Sequence, residues 1–264
     1  MPYPLIPDDS FPPLRNEPCF CGSGQRFKRC CGNQSSDRSP PHGVGIVEGF
    51  LSPQECSDLV RTADGMVGHR FTAEDKDGNR ILDPNRATEW VDFRHTQQQV
   101  LDDIVYRALD EHIIPGTGQS IEWYEQPEVL RYGPGDFYRH HADAYHLVPK
   151  QHAWRRAVDR DTSLLIYLND EFEGGDLNFK RLFYTLRPKA GMLVWFPSDV
   201  RYEHMAKPVV SGRRYSLVSW AAAVGIERVQ AKRAKRAIMW QSRTKKEPED
   251  KIREAGERPD DLRE

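Results

Sequence analysis

Tyr132-Gly133-Pro134-Gly135-Asp136-Phe137-Tyr138-Arg139-His140-His141-Ala142-Asp143 is the stretch around which the 264-residue chain is organised. Gly and Pro at its start signal a turn, and Phe137 to Asp143 then reads as a strand. A strand's period of two puts the His141 imidazole and the Asp143 carboxylate on one face, able to share a metal ion. The same spacing also fits a surface polar pair, or a buried histidine oriented by a carboxylate. One further histidine would complete a three-ligand set. His204, in Tyr202-Glu203-His204-Met205-Ala206-Lys207-Pro208, is the best candidate. Two histidines and one carboxylate occupy one face of an octahedron and leave the other positions open, as Fe(II) requires to take up an organic cosubstrate and dioxygen together. His140 competes with His141, but the even spacing to Asp143 favours His141.

Outward from this stretch, short apolar runs alternate with Gly, Pro, Asn and Asp. Strands are expected over Val129–Tyr132, Phe137–Asp143, Ser163–Leu168, Leu177–Phe179, Met192–Phe196 and Tyr215–Trp220, the pattern of a β-sandwich or barrel. Upstream, Ser52-Pro53-Gln54-Glu55 is a capping box with proline at the first helical position, and Cys56, Leu59, Val60 and Ala63 follow at helical spacing. Gln97 to Ile113 is helical again, with Val100, Leu101, Ile104, Val105, Ala108 and Leu109 as its core-facing stripe. Phe71 to Phe93, with Asp77-Gly78 and Asp83-Pro84, suggests exposed hairpins or loops. Helices leading into a run of strands predict an α+β arrangement, mainly β, with the helices packed outside the sandwich.

The 38 basic and 40 acidic side chains leave a formal charge of -2, which disfavours a strongly basic nucleic-acid binder. The apolar fraction, 38% counted without glycine, is low for a globular domain, so part of the chain is expected outside the core. No run approaches the roughly 18 apolar residues of a membrane span, and Met1 to Pro13 lacks a basic region followed by an apolar one. A soluble, cytoplasmic protein with no membrane partner is the expectation.

Four of the five cysteines, Cys19, Cys21, Cys30 and Cys31, fall in a C-x-C-x8-C-C pattern, while Cys56 stands alone. Such close pairs are awkward to bridge internally, whereas tetrahedral thiolate coordination gathers them readily, so structural zinc is expected. The chain therefore divides into a Pro-rich tail (1–13), a zinc motif (14–33), a linker (34–43), the main domain (44–224) and a charged helical or disordered tail (225–264). That last part has a basic run through Arg228, Lys232, Arg233, Lys235, Arg236, Arg243, Lys245 and Lys246, then a mainly acidic stretch from Glu247 to Glu264. A solvated helix is the plain reading of this run; an arm touching ribosomal RNA is the sharper one.

Pro18-Cys19-Phe20-Cys21-Gly22-Ser23-Gly24 with Phe27-Lys28-Arg29-Cys30-Cys31-Gly32 closely resembles the SEC-C zinc motif known from the tail of the bacterial secretion ATPase. That resemblance implies a protein-interaction module that docks on a chaperone or the ribosome. The main domain resembles a 2-oxoglutarate and Fe(II)-dependent dioxygenase of the prolyl 4-hydroxylase type from about Gly45 to Ala223. The opening stretch fits its Y-x-x-G-x-x-Y-x-x-H-x-D pattern; Leu165-Ile166-Tyr167-Leu168-Asn169, Glu173-Gly174-Gly175-Asp176-Leu177 and Ser211-Gly212-Arg213-Arg214-Tyr215 add to the match, as does Glu48 to Cys56.

The resemblance implies a double-stranded β-helix of the jelly-roll or cupin-like kind. It makes His141, Asp143 and His204 the iron ligands and Arg214 the group that holds the distal carboxylate of 2-oxoglutarate. Arginine suits that task because its planar fork binds a carboxylate bidentately. Tyr167 matches a phenol that helps bind the same carboxylate in oxygen-sensing prolyl hydroxylases, whereas Leu177 stands where some collagen-type members have threonine. Tyr132 would stand near the keto acid's other end, and Tyr138, Arg160 and Trp220 match peptide-contacting positions. Tyr138 is an odd number of residues from His141, so it faces away unless a bulge intervenes. Ala144 to Asp161 is the expected lid, with His146 and His152 at its surface.

The implied cofactors are Fe(II), 2-oxoglutarate as cosubstrate, ascorbate as reductant and structural zinc. The implied reaction hydroxylates a protein, at a prolyl residue, with release of succinate and CO2; ribosomal or translation-factor proteins are the expected substrates. Two alternatives share these residues: a small-molecule or nucleic-acid oxygenase on the same core, and a SEC-C adaptor carrying a catalytically idle sandwich. Retention of Asp143 argues against a halogenase, and the triad with Arg214 against the adaptor.

Overall fold

The computed structural model describes residues 3–33, 39–74, 77–93 and 96–241. Seven strands carry the site: β1 (Glu128–Tyr132), β2 (Phe137–His141), β3 (Thr162–Tyr167), β4 (Leu177–Phe179), β5 (Leu193–Pro197), β6 (His204–Ala206) and β7 (Arg214–Ala223). The major sheet runs Gly45–Val47, β5, β3, β7, β1, Glu89–Val91, Gly68–Arg70, and the far end of β7 also pairs with Ile121–Glu125. The minor sheet runs Tyr184–Leu186, β4, β6, β2, Arg86–Ala87. All pairings in the two sheets are antiparallel, and the sheets face one another as a double-stranded β-helix of the jelly-roll kind.

The period of two sorts β3 between two cores. Leu164 and Ile166 face the helices, while Leu165 and Tyr167 face the space between the sheets. Helix α1 (Pro53–Asp64) starts where expected: Ser52 Oγ accepts from the Glu55 N–H at 3.2 Å and the Glu55 carboxylate accepts from the Ser52 N–H at 2.7 Å. Such a box satisfies two amide donors that the first turn cannot pair internally. Helix α2 (Thr96–Ala108) packs with α1 on the major sheet and continues through a π-turn to Thr117, ending at Gly118 in the left-handed region. Val100, assigned to the α2 core stripe, is instead 50% exposed. At 3.6 residues per turn it lies about 100° from the middle of the Leu101, Ile104, Val105 and Ala108 stripe.

Other expectations are corrected by long-range pairing. Asp77-Gly78 does sit in a hairpin joining Thr72–Glu74 to Arg80–Leu82, but Glu89–Val91 joins the major sheet and Val91 and Phe93 are buried. The N-terminal stretch is docked rather than a tail: Ile6–Pro7 pairs with Ala153–Arg156, and Arg181 links Asp8 at 2.5 Å to Glu203 at 2.8 Å. The expected lid is a hairpin of Tyr145–Val148 and Ala153–Arg156, with His146 and His152 exposed. Residues 225–241, expected to be helical or disordered, include a strand, Ala237–Met239, paired with Ile121–Glu125, and the Trp240 ring stacks on Tyr106 at 4.6 Å. Arg243, Lys245, Lys246 and the acidic stretch beyond lie outside the described residues, as do 34–38 of the linker. Among the described residues no helix is long and apolar enough to cross a membrane.

Candidate active site

The turn from Gly133 to Asp136 reverses the chain between β1 and β2. Asp136 fixes it by accepting from the Gly133 N–H at 2.9 Å and from Arg70 at 2.7 Å, and Gly135 supplies the positive φ of +85°. At the end of β2, His141 faces His204 at the start of β6. Asp143 follows two residues after His141, where β2 closes. The ligand atoms of His141, Asp143 and His204 all lie within 4.8 Å of one another, and the His141 and His204 Nε2 atoms stand 3.4 and 3.7 Å from the Asp143 carboxylate oxygens.

Both rings are oriented from behind. His141 Nδ1 lies 2.8 Å from the Arg139 carbonyl and His204 Nδ1 lies 3.0 Å from the Tyr202 carbonyl; since carbonyls only accept, both Nδ1 atoms carry hydrogen and both Nε2 lone pairs point inward. Ser163 Oγ donates to Asp143 at 2.6 Å and is itself 2.7 Å from Ser198 Oγ. Burial, then the His141 imidazole, lowers the His204 pKa to about 4, which keeps it neutral as a ligand must be. Burial works to raise the Asp143 pKa, but His204 and His141 outweigh it and hold the carboxyl well below its usual range. Two imidazoles and one carboxylate fit a divalent ion that leaves further positions open. His140 points away, toward Asn178 Oδ1 at 3.2 Å.

A cavity of about 370 Å³ reaches inward from these groups, with Tyr132, Leu177, Arg214 and Ser216 among its lining. Arg214 is 1% exposed, and its guanidinium carbon lies 4.6 Å from the Tyr132 ring centroid and 5.0 Å from that of Tyr167. Its Nη1 reaches Ser216 Oγ at 3.3 Å, while Arg214 Nε and the Tyr167 hydroxyl are buried with no hydrogen-bond partner within the protein. Buried polar groups are rarely left unmatched, so a buried guanidinium on the cavity wall, with its Nε and the adjacent Tyr167 hydroxyl unpartnered, fits an anionic ligand group such as a carboxylate. Gly175 makes room: its φ is +64°, and a Cβ there would lie 3.0 Å from Arg214 Cδ.

The mouth gathers Tyr138, Arg160 and Trp220. Arg160 lies 3.6 Å over the Trp220 ring, and its fork is taken by Glu125 at 2.5 and 2.7 Å. Phe71, Arg86, Glu125 and Glu128 also line the mouth; the sequence offered no signal for them. Ser163 was within reach of sequence reasoning, since it shares parity with Leu165 and Tyr167 on the inward face of β3. Ser198 was not.

The second cluster is formed by Cys19, Cys21, Cys30 and Cys31, whose Sγ atoms lie within 4.8 Å of one another and form no disulfide. Four thiols so placed fit one tetrahedral ion. The motif is not separate from the main domain: Cys19, Cys21, Cys31 and Phe27 share one apolar cluster with Phe179, Phe196 and Tyr202.

Residues 127–222, which carry the triad and Arg214, match the model of the 2OG-Fe(II) oxygenase superfamily. Residues 15–33 match the SEC-C motif. Among solved structures, the viral collagen prolyl hydroxylase of Paramecium bursaria Chlorella virus-1 in complex with 2OG is 23% identical, covers 68% of this chain and 96% of its own, and has a TM-score of 0.51. At that identity the likeness shows the fold. A Pseudomonas putida prolyl-4-hydroxylase is 24% identical (69% of this chain, 94% of its own, TM-score 0.47). A Trichoplax adhaerens prolyl hydroxylase, solved with a hypoxia inducible factor peptide fragment, is 20% identical (68% and 83%, TM-score 0.46). Comparison with curated proteins returned no match.

Proposed function

We propose that this chain is a 2-oxoglutarate- and Fe(II)-dependent dioxygenase that hydroxylates a protein substrate at a prolyl residue and releases succinate and CO2. The observation that carries the reading is that one cavity is lined both by the His141, Asp143 and His204 set and by Arg214, whose Nε, like the hydroxyl of the neighbouring Tyr167, is buried without a partner. When bound, Fe(II) with 2-oxoglutarate supplies the oxidising chemistry, consuming dioxygen; ascorbate serves as reductant. The chain's own residues do the rest. His141, Asp143 and His204 hold the ion, with Ser163 and the two backbone carbonyls fixing their directions. Arg214 and Tyr167 bind the cosubstrate's distal carboxylate, and Tyr132 closes over its other end. Buried apolar walls, Leu165, Leu177 and Val218, exclude water from the reacting groups. Tyr138, Trp220 and the Arg160–Glu125 pair position the peptide at the mouth. The cysteine cluster holds structural zinc.

A prolyl substrate is supported by the aromatic, charge-balanced mouth and by the prolyl hydroxylase that shares the fold. Succinate release from 2-oxoglutarate with Fe(II) and ascorbate, compared between the wild type and His204→Ala, tests the site: equal turnover in both rejects it. Mass spectrometry of proteins from cells with and without the enzyme tests the substrate. A site-specific gain of one oxygen on proline is expected, and its absence rejects the prolyl reading.

A further inference from the structure

We propose that the cysteine motif is a positioning element for the iron ligand His204, acting through His42 and Tyr202. The inference rests on the two metal centres assigned above, and it concerns what joins them. His42 Nδ1 donates to the Cys21 carbonyl at 3.0 Å. The His42 carbonyl accepts from the Tyr202 hydroxyl at 2.8 Å, and the Tyr202 carbonyl accepts from His204 Nδ1 at 3.0 Å. Three hydrogen bonds thus lead from a residue of the zinc set to a residue of the iron set. Each intermediate residue is engaged on both sides, by a side-chain donor and a backbone carbonyl.

Local features make this strap specific. Gly43 has a φ of +86°, and a Cβ there would lie 2.0 Å from Tyr202 Oη, so only glycine lets the phenol reach the His42 carbonyl. Arg201, held by Asp199 at 2.9 and 2.6 Å, adds a second tie by donating to the Phe20 carbonyl at 3.3 Å, between Cys19 and Cys21. The apolar cluster shared by the motif and the core includes Phe196, whose ring meets the His204 imidazole edge-on at 4.7 Å.

The physical consequence follows from how such motifs fold. A short cysteine loop without a core of its own draws much of its order from its metal, so the Cys21 carbonyl loses part of its restraint when the four thiolates no longer share an ion, with only the packing against Phe196 and Tyr202 left to hold it. Groups that hold a ligating histidine from behind set metal affinity as well as geometry. Loss of zinc at the cysteines therefore slackens His204 and weakens metal binding at the other centre, with no change in either ligand set. A motif read from sequence as a docking device for other proteins has one face already committed to this chain.

The test uses the full-length, zinc-loaded protein and Mn(II), a metal that prefers nitrogen and oxygen ligands and so reports the histidine–aspartate site without entering the thiolates. Binding is followed by electron paramagnetic resonance of free Mn(II) for the wild type, Tyr202→Phe, His42→Phe, Cys31→Ser and a control, Leu59→Ala, in the α1 core. Tyr202→Phe and His42→Phe are expected to raise the Mn(II) dissociation constant about 3- to 10-fold, below the roughly 10- to 100-fold of a direct ligand partner because the strap acts one step further out. Cys31→Ser is expected to do the same, and adding it to Tyr202→Phe to do no more. Leu59→Ala should lower the melting temperature and leave Mn(II) affinity unchanged. Folded Tyr202→Phe and His42→Phe proteins that bind Mn(II) as tightly as the wild type would overturn the strap, even if Cys31→Ser fails to fold. A wild-type protein that binds no Mn(II) would instead overturn the metal-centre reading beneath it.

Discussion

The Tyr138 ring lies face to face with the His141 imidazole, centroids 3.6 Å apart and planes 14° apart. Two residues an odd number apart on one strand meet because β2 carries a bulge. Tyr138 pairs with Ala206 and His141 with His204, three steps on β2 against two on β6. The extra residue reverses the parity of everything before it, turning the phenol from the outer face onto the iron-site pocket.

Tyr138→Ala is expected to loosen His141 and remove one wall of the mouth. An aromatic pair contributes about 0.5 to 1.5 kcal/mol, so the Fe(II) concentration for half-maximal succinate release should rise about fivefold, and Tyr138→Phe should restore it. A Phe variant as impaired as the Ala variant would show that the hydroxyl, not the stack, matters.

For Arg214→Lys, the KM for 2-oxoglutarate should rise about 10- to 100-fold, because a point charge cannot reproduce the bidentate fork and the Nε donor is removed. Tyr167→Phe should act in the same direction and more weakly, through one lost hydrogen bond. Saturation curves for 2-oxoglutarate check both; an unchanged KM in Arg214→Lys would remove Arg214 from the cosubstrate site.

Gly175→Ala places a Cβ at φ +64° and 3.0 Å from both Arg214 Cδ and the Phe172 ring. The strain should cost about 1 to 3 kcal/mol of unfolding free energy in urea titration and raise the KM for 2-oxoglutarate by displacing the guanidinium. Gly24→Ala is the comparison, since its φ is +73° but nothing lies within 4 Å. Equal effects on KM from the two would reject the steric argument.

Acid should destabilise the metal-free protein through the iron-site residues. His204 has a folded pKa of about 4 against an ordinary value of 6.5, because of burial and then His141. A depressed histidine pKa means the unfolded chain binds the proton more readily, so this contribution is present above the unfolded pKa and is lost as pH falls toward the folded one. Asp143, also depressed, adds a loss in the same direction at lower pH. Urea midpoints of metal-free protein should fall between about pH 7 and about pH 5, and His204→Gln should flatten the slope. An unaltered slope in that variant would exclude His204 as its source.

Much was readable without coordinates wherever the information lay in short spacings. The H-x-D pair, the C-x-C and C-C pairs, the Ser52 to Glu55 cap and the shared parity of Arg214 with Trp220 all depend on a few consecutive dihedral angles, which local sequence governs. Boundaries drifted by only a residue or two in most of the expected strands, because apolar alternation and turn residues delimit them.

Tertiary structure decided the rest. Where Tyr138 points depends on a register shift against β6, more than sixty residues away in the chain. That Ser163 and Ser198 brace Asp143, that Glu125 occupies the Arg160 fork, and that the cysteine motif docks onto the segment leading to His204 are contacts between distant stretches. Residue type says that such groups need partners. Only the packing of the whole chain says which partners they find, because hydrogen bonds and apolar contacts carry no memory of sequence separation.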